Sequence, residues 1–297
     1  MSIKILSDFD GVWTNQAFEA EHVKLYVATE AARLAEIDAE RARADFQHFE
    51  RAVKSTPERF GWAPDGRITA YVDEDPFCEP NSITSYIDSE RSDPRTHVYR
   101  EAILDSGFAT LTAFGDHCFH AATHSFRREH PPALVPRAVL SLEALRRAGA
   151  EIVVVSNSPP EKIIGWFREA GVDAGERANH ALRVRGSAGK FLLGPKGDWI
   201  TVGGRKIVVD RPRYEKVIEE ERPELVVGDV FSLDLALPHV MRTQGHPAAP
   251  RELVLRRHGH TPSWVLDTRA DGAIDRIIDD VADLLAVVER RRDTQRR

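Results

Sequence analysis

Four short runs of strand-forming residues, each ending in polar residues, constrain the fold of this chain most. They are "IKILSDFDG" (3–11), "EIVVVSNS" (151–158), "ELVVGD" (224–229) and "ELVLRRHG" (252–259). Short apolar runs of this kind are typical of strands that are buried on both faces of a parallel sheet.

Segments with apolar residues at helical spacing lie between these runs and are bounded by Pro and Gly. One contains Val139, Leu142 and Leu145 and stops at Gly149, and another contains Ile163, Ile164 and Phe167, follows Pro159–Pro160 and stops at Gly171. Pro at the start and Gly after the end are common helix boundaries. Strand and helix therefore alternate, which predicts an α/β fold with a Rossmann-like parallel sheet and helices on its faces.

The interval between the first two runs is far longer than one crossover connection requires. Its first part (17–53) and its last part (97–128) have helical spacing, whereas the stretch 76–94 is rich in turn residues. We predict a mostly α-helical domain over residues 16–131. It would be inserted into a discontinuous α/β core formed by residues 1–15 and 132–297.

Two later segments complete the predicted core. The alternation and turn residues of 181–210 predict a small β appendage of antiparallel strands, with turns near Pro195–Gly197 and Gly203–Gly204. Segment 273–290 has one apolar stripe at helical spacing, from Ile274 to Val288. This stripe predicts a helix that closes the core.

Composition excludes several classes of partner. The net charge of −6 is spread over both signs without a long basic stripe, which argues against nucleic-acid binding. No apolar run approaches the length of about 20 residues that crosses a bilayer. The chain has two cysteines, Cys78 and Cys118, and no secretory signal pattern, so we expect a cytoplasmic protein that does not bind membranes. The sequence does not indicate an oligomeric state.

The polar residues after the predicted strands are the candidates for chemistry. They are Asp8 and Asp10, then Ser156 and Asn157, then Asp229 and Asp234. Ligands of open parallel sheets bind beyond the carboxyl ends of the strands, so we expect these groups to converge. Several carboxylates in one place need a compensating cation, and oxygen ligands favour Mg²⁺. The sequence therefore predicts Mg²⁺ as a cofactor.

Three motifs in these runs resemble those of a known superfamily. "DFDGVWT" resembles the D-x-D-G-x-x-T first motif of the haloacid dehalogenase (HAD) superfamily, whose members are mostly Mg²⁺-dependent phosphatases. "VVVSN" resembles the second motif, a hydrophobic strand that ends in Ser or Thr, and "VVGDVFSLD" resembles the fourth, G-D-x-x-x-x-D. The order of the motifs and their positions at strand ends make the resemblance specific. It covers residues 1–15 and about 132–240, and it places 16–131 where this superfamily carries helical cap domains.

The resemblance implies a role for each matching residue. Asp8 would be the nucleophile that forms an aspartyl-phosphate, and Asp10 would be the general acid and then the general base. The carboxylates of Asp8 and Asp229 and the main-chain carbonyl of Asp10 would hold Mg²⁺. Ser156 and the N–H groups after Asn157 would bind the phosphoryl group. Thr14, the last residue of the first motif, and Asp234, which would orient water or the basic residue, have supporting roles.

The third motif of the family is a lone Lys or Arg, and its position in this chain is ambiguous. Arg211, Lys206 and Lys190 are the three possibilities. We favour Arg211 as the phosphate-binding cation, because "RPRY" stands where many relatives have Lys-Pro before a helix. Lys206 is a supporting candidate, and Lys190 is the weakest of the three.

Two further features invite a functional reading. His117, His120 and His124 lie at helical spacing near Cys118 and could bind zinc, although such a helix face is more often structural or substrate-facing. Trp13 stands where relatives usually have a smaller aliphatic residue. It either packs under the insert or lines the leaving-group pocket.

The function that the resemblance implies is hydrolysis of a small phosphorylated metabolite by a Mg²⁺-dependent phosphatase. A mutase that transfers the phosphoryl group is an alternative on the same fold. A haloacid dehalogenase is another, although it would not need a general acid at Asp10. A catalytically inactive binding module is the alternative from a different class.

Overall fold

The computed structural model describes residues 2–296 and divides them into two compact units. The first unit holds the described residues of segments 1–15 and 132–297, and the second holds residues 16–131. Within the described part of the chain, no helix combines the length and the apolar character that crossing a membrane requires. The interpretation of the second unit as a cap domain stays a prediction.

The strands and helices follow one another as listed here in chain order. The strands are β1 (Ile3–Ser7), β2 (Gly61–Trp62), β3 (Ala70–Tyr71), β4 (Ala150–Val155), β5 (Ala174–Gly175), β6 (Leu182–Arg185), β7 (Trp199–Val202), β8 (Arg205–Val208), β9 (Leu225–Gly228), β10 (Glu252–Arg256) and β11 (Arg276–Ile278). The helices are α1 (Ala17–Leu34), α2 (Ala39–Ser55), α3 (Cys78–Ser89), α4 (Pro94–Asp105), α5 (Leu111–Glu129), α6 (Ala138–Arg147), α7 (Pro160–Glu169), α8 (Pro212–Glu221), α9 (Ala236–Thr243), α10 (Ser263–Asp267) and α11 (Leu284–Arg296). Short 3₁₀ turns lie at Pro57–Arg59 and Val281–Asp283, and a π-helical turn at Phe231–Leu235 runs into α9.

A seven-stranded parallel sheet forms the centre of the first unit. Its strand order is β11-β10-β9-β1-β4-β6-β5, and every neighbouring pair is parallel. In the register, Ile5 of β1 lies between Ile152 of β4 and Leu225 of β9. The predicted α/β fold with a Rossmann-like parallel sheet is confirmed.

Helices bury the apolar faces of this sheet. One hydrophobic cluster joins Ile5 and Val154 of the sheet to Leu142 of α6, Phe167 of α7 and Leu284 of α11. Helices α6 and α7 have the predicted bounds because Gly149 and Gly171 after them adopt φ of +81° and +82°, a conformation that favours glycine. These helices hold the carboxyl ends of the central strands in a fixed arrangement.

The second unit is mostly helical, and aromatic residues fill its interior. The rings of Phe46 and Phe49 on α2 and Tyr99 on α4 lie 5.4–5.8 Å apart as pairs with steep interplanar angles. The stretch 76–94 that looked rich in turns contains α3. Pro80 lies in the first turn of this helix, where its missing N–H costs nothing.

Two predictions for the later segments need correction. The antiparallel hairpin β7–β8 turns at Gly203–Gly204 as predicted, but β6 lies in the main sheet, parallel to β4. The predicted helix over 273–290 begins only at Leu284, and Arg276–Ile278 is the edge strand β11. The apolar residues of β11 complete the edge of β10, and Asp280 caps the turn that follows, so the helix cannot begin earlier.

Candidate active site

The three central strands of the sheet bring the candidate residues together. Strands β9, β1 and β4 are neighbours, and Asp229, Asp8 and Ser156 are the first residues after their carboxyl ends. Parallel strands end at the same edge of a sheet, so these side chains must lie close to one another. The residues that the sequence selected at these strand ends therefore do converge at one edge of the sheet.

A cluster of three carboxylates lies at the centre of this edge. Asp8, Asp229 and Asp234 each offer an oxygen, and these oxygens lie within 4.8 Å of one another. Asp229 and Asp234 are buried, and the side chain of Asp8 is 11% exposed. Burial and the neighbouring carboxylates raise the pKa of Asp8 well above its ordinary value, against the opposite effect of Lys190.

Lys190 is the cation that compensates this cluster. Its Nζ lies 2.6 Å from Asp8 Oδ1 and 2.7 Å from Asp234 Oδ1, and its side chain is 2% exposed. Burial alone would lower the pKa of Lys190, but the carboxylates of Asp234 and Asp8 raise it above its ordinary value. The lysine is therefore held as a cation beside the predicted nucleophile.

The role of Arg211 as the phosphate-binding cation stays a prediction, and its contacts differ from those of Lys190. Arg211 is fully buried, and its guanidinium donates to the main-chain carbonyls of Val208 and Lys190. Lys206 lies on the hairpin with its ammonium 4.9 Å from the centre of the Trp199 ring. Lys190 contacts two of the three carboxylates, so the candidate ranked last from the sequence lies against the predicted nucleophile.

Asn157 and Arg211 both act on the main chain of Lys190. The backbone N–H of Lys190 donates to Asn157 Oδ1 over 2.7 Å, and its carbonyl accepts from Arg211. The two predicted phosphate ligands therefore fix the segment that carries Lys190. For Asn157, the prediction that backbone N–H groups after it bind phosphate stays a prediction.

The turn after β1 depends on Gly11. Its φ of +78° lies in the region that favours glycine, and a Cβ at this position would lie 1.9 Å from Asp229 Oδ2. Thr14 supports the turn by accepting the backbone N–H of Gly11 at 3.3 Å. Gly11 thus leaves room for the carboxylate of Asp229 beside the strand that carries Asp8.

Trp13 packs in the core beneath the sheet edge and contacts β1 next to the same turn. It is fully buried within the first unit, its ring centre lies 6.4 Å from that of Phe167, and its Nε1 donates to Ser7 Oγ over 2.9 Å. This residue belongs to the core of the α/β unit. Its role is to fix the turn that presents Asp8 and Asp10.

Asp10 is held by three side chains that follow β4. Its Oδ2 accepts from Ser156 Oγ at 3.2 Å and from Ser158 Oγ at 2.7 Å, and its Oδ1 accepts from Lys162 Nζ at 3.1 Å. Sequence reasoning found Ser156 and missed Ser158 and Lys162. The signal was available, because Ser158 also follows the strand end and Lys162 lies one helical turn beyond it.

Asp234 and Asp229 of the carboxylate cluster each make a further contact. Asp234 Oδ2 accepts the backbone N–H of Val230 at 3.1 Å, which ties the π-helical turn to the end of β9. His258 Nε2 lies 3.4 Å from Asp229 Oδ2. His258 follows β10, the fourth run of the sequence, so the strand-end rule applied to that run would have selected it.

Zinc binding by the histidines of the second unit, which the sequence allowed but did not favour, has no support in the geometry. His117, His120 and His124 are exposed, and the groups of the described residues that could hold a metal do not include them. A second such group, Glu215, Glu219 and His246, is partly exposed and lies on α8 and in the loop after α9.

The carboxylate cluster at the sheet edge fits a hard divalent cation. Its donors are oxygens of Asp8, Asp229 and Asp234, which Mg²⁺ prefers over nitrogen or sulfur ligands. The missing side chain at Gly11 lets the carboxylate of Asp229 lie beside the turn that carries Asp8 and Asp10. The residues present are therefore compatible with the predicted Mg²⁺.

Neither protein-family models nor curated proteins gave a significant match. Several solved structures are similar over nearly the whole chain at low identity. The HAD phosphatase of Thermococcus onnurineus is 12% identical, with 97% of this chain and 98% of that chain covered and a TM-score of 0.47. The 2-haloacid dehalogenase of Pseudomonas syringae is 15% identical, with 98% and 99% covered and a TM-score of 0.43.

A third structure, the HAD-hydrolase YfnB of Bacillus subtilis bound to magnesium, is 10% identical. The match covers 97% of this chain and 99% of that chain, with a TM-score of 0.43. Both a phosphatase and a dehalogenase are among these similar structures. With its parallel sheet and with its motifs at the carboxyl ends of neighbouring strands, the chain resembles the hydrolases of the haloacid dehalogenase superfamily.

Proposed function

We propose that this protein is a Mg²⁺-dependent phosphatase that hydrolyses a small phosphorylated metabolite through an aspartyl-phosphate on Asp8. The observation that carries the proposal is the position of Asp8. Its carboxylate lies 2.6 Å from the ammonium of Lys190 and beside the carboxylates of Asp229 and Asp234. A nucleophile between a fixed cation and a set of oxygen ligands is suited to attack a negatively charged phosphoryl group.

The metal would be held by the carboxylates of Asp8 and Asp229 and by the main-chain carbonyl of Asp10. When bound, Mg²⁺ supplies positive charge that offsets the charge on the phosphoryl oxygens in the transition state. Lys190 supplies a second positive charge from the protein itself. Its contact with Asp234 keeps the ammonium in place while Asp8 reacts.

The reaction would proceed in two displacements at phosphorus. In the first, an oxygen of Asp8 forms a bond to phosphorus, the ester bond breaks, and Asp10 gives its proton to the departing oxygen. In the second, Asp10 takes a proton from water, the water oxygen bonds to phosphorus, and the bond to Asp8 breaks. Ser156, whose hydroxyl donates to Asp10 in this structure, would turn to donate to a phosphoryl oxygen of the bound substrate. The N–H groups at the start of α7 would add to this anion site.

The contacts of Asp10 favour this reaction over dehalogenation. Displacement of a halide needs no general acid at this position, whereas three side chains orient the carboxylate of Asp10. A mutase would use the same first displacement and pass the phosphoryl group to a hydroxyl of a second substrate. Measurable turnover of an aryl phosphate with Mg²⁺ would exclude a binding module without catalysis.

Turnover of p-nitrophenyl phosphate and of a panel of phosphorylated metabolites, with Mg²⁺ or with EDTA, tests the proposal. We expect phosphate release that needs Mg²⁺ and is absent in Asp8→Asn. Normal turnover by that variant would refute the nucleophile, and no phosphate release from any ester would refute the function. Release that requires an added acceptor would indicate a mutase, and chloride release from 2-chloropropionate would indicate a dehalogenase.

A further inference from the structure

Lys162 contacts Asp10 and has no role in the reaction as proposed so far. It lies in the first turn of α7, and its side chain is 13% exposed. The N-terminal end of a helix disfavours a cation, so an anion must offset the charge. The anion is Asp10, whose Oδ1 lies 3.1 Å from Lys162 Nζ.

Two aromatic rings fix the ammonium of Lys162. The Nζ lies 5.9 Å from the centre of the Phe9 ring and 5.5 Å from that of the Trp166 ring. The two rings contact each other edge to face, with centres 5.7 Å apart. Since Phe9 is the residue between Asp8 and Asp10, the same turn carries the nucleophile, one wall of the lysine site and the anion that it binds.

Ser158 connects Lys162 to the second oxygen of Asp10. Its hydroxyl donates to Asp10 Oδ2 over 2.7 Å and accepts from Lys162 Nζ over 3.0 Å. Both oxygens of Asp10 are therefore bound from the side of α7, which fixes the plane of the carboxylate. A proton-transfer group works only from a defined position relative to the reacting atoms, so this restraint bears on catalysis.

We infer that Lys162 and Ser158 are positioning residues that hold the carboxylate of Asp10 for its two proton transfers. The inference rests on the proposed phosphatase function and adds two residues to its machinery. Both residues act through Asp10. Their loss should therefore impair the steps that need proton transfer and should leave nucleophilic attack and binding of phosphate and Mg²⁺ in place.

Two aryl esters of similar shape separate these effects. Phenol has a pKa of about 10, like the tyrosine side chain, so phenyl phosphate needs a general acid to expel its leaving group. p-Nitrophenol is more acidic, so its phosphate ester needs little help. For Lys162→Met we expect kcat/KM to fall about tenfold or more for phenyl phosphate and to change less than about threefold for p-nitrophenyl phosphate.

Rapid kinetics report on the second proton transfer. With p-nitrophenyl phosphate, Lys162→Met should give a burst of p-nitrophenol followed by slow turnover, because hydrolysis of the aspartyl-phosphate becomes limiting. Ser158→Ala should change the ester selectivity and the burst in the same direction as Lys162→Met. Lys162→Arg should show smaller effects than Lys162→Met. The inhibition constant of inorganic phosphate and the Mg²⁺ requirement should stay within about twofold of wild type, as for a residue outside the binding set.

Two controls make the test specific. Lys216→Met removes an exposed lysine of α8 and should change neither readout. In an Asp10→Asn background, Lys162→Met should have almost no further effect, because the group that it positions is gone. The inference would be overturned if the losses of kcat/KM from Lys162→Met and Asp10→Asn were additive in the double variant. It would also be overturned if Lys162→Met lowered kcat/KM equally for the two esters and gave no burst.

A raised inhibition constant for phosphate would also overturn the inference, since it would place Lys162 in substrate binding. If the wild-type protein cleaves neither ester, the proposed function fails and the inference falls with it. The two failures are therefore distinguishable, because only the second is seen in the wild-type protein.

Discussion

Lys190 Nζ lies 2.6 Å from Asp8 Oδ1, although 182 positions separate the two residues in the chain. The lysine also contacts Asp234, so one buried ammonium compensates two carboxylates. An ion pair of this kind is a weak source of net stability, but removal of one partner leaves uncompensated buried charge. Lys190 should therefore matter both to catalysis and to folding.

We expect Lys190→Met to lower kcat by about a hundredfold or more, as does the loss of other groups that stabilise transition-state charge. The variant should also lose about 3 kcal/mol in free energy of unfolding, because Asp8 and Asp234 lose their cation. Enzyme assays with p-nitrophenyl phosphate and urea unfolding in EDTA measure the two effects. Lys206→Met is the matched control. A larger loss of kcat in that variant than in Lys190→Met would indicate that Lys206, on the β7–β8 hairpin, is the basic residue of the third motif.

The sequence predicted the acidic residues that gather at the sheet edge, and it ranked last the lysine that contacts two of them, Lys190. Asp8, Asp10, Asp229 and Asp234 could be found because they directly follow or lie near the ends of apolar runs, and parallel strands end at one edge. Lys190 lies in no such position. It follows β6 by several residues in a loop whose course depends on Asn157 and Arg211, and no local pattern encodes those contacts.

The fold was predictable where each element has its own boundary signals. Helices α6 and α7 lie between Pro and Gly residues and agree with their predicted bounds. Strand β11 was taken for part of a helix because Ile274, Ile277 and Ile278 have helical spacing. Pairing with the edge of β10 decides in favour of the strand, and that contact is not visible in local sequence.

Gly11→Ala should lower the affinity for Mg²⁺ by about tenfold or more, because the new Cβ would displace the carboxylate of Asp229. It should also cost about 1–2 kcal/mol in free energy of unfolding for the positive φ. Gly149→Ala is a close match, since Gly149 has φ of +81° and no atom within 4 Å of the added Cβ. Calorimetric titration with Mg²⁺ should distinguish the two, and equal affinities would mean that Asp229 does not hold the metal.

Asp10→Asn should lower kcat about a hundredfold or more while Mg²⁺ binding persists. The reason is that the proposed metal ligand at this position is the main-chain carbonyl, which the substitution leaves in place. Steady-state assays and the same calorimetric titration measure the two effects. Unchanged hydrolysis would exclude Asp10 as the acid, and lost metal binding would mean that its side chain is a ligand.

The last prediction concerns acid sensitivity of the helical unit and depends on Asp93, the N-cap of α4. Its carboxylate accepts from the backbone N–H of Arg95 at 3.0 Å and from His48 Nε2 at 2.7 Å, and Tyr86 Oη lies 3.4 Å away. Burial alone would raise the pKa of Asp93, but the hydrogen bonds and the charges of His48 and Arg95 lower it below the ordinary value.

A carboxyl whose pKa is lower in the folded state than in the unfolded state stabilises the folded protein while it is ionised. This contribution is fully present at pH values above the unfolded pKa of about 3.9, and it is lost as the pH falls through the folded pKa. Asp93→Asn removes the charge and keeps a good helix cap. The variant should therefore reduce hydrogen-exchange protection of α4 at pH 6, by an amount on the order of 0.5–1 kcal/mol, and should match wild type more closely at pH 3.

Asp116→Asn is the control for this comparison, because Asp116 is exposed and lies on another helix of the same unit, α5. Protection of α4 in this variant should follow that of wild type at both pH values. A deficit in Asp93→Asn that is as large at pH 3 as at pH 6 would show that the ionised carboxylate contributes nothing. The stability of this helix would then depend on the cap alone.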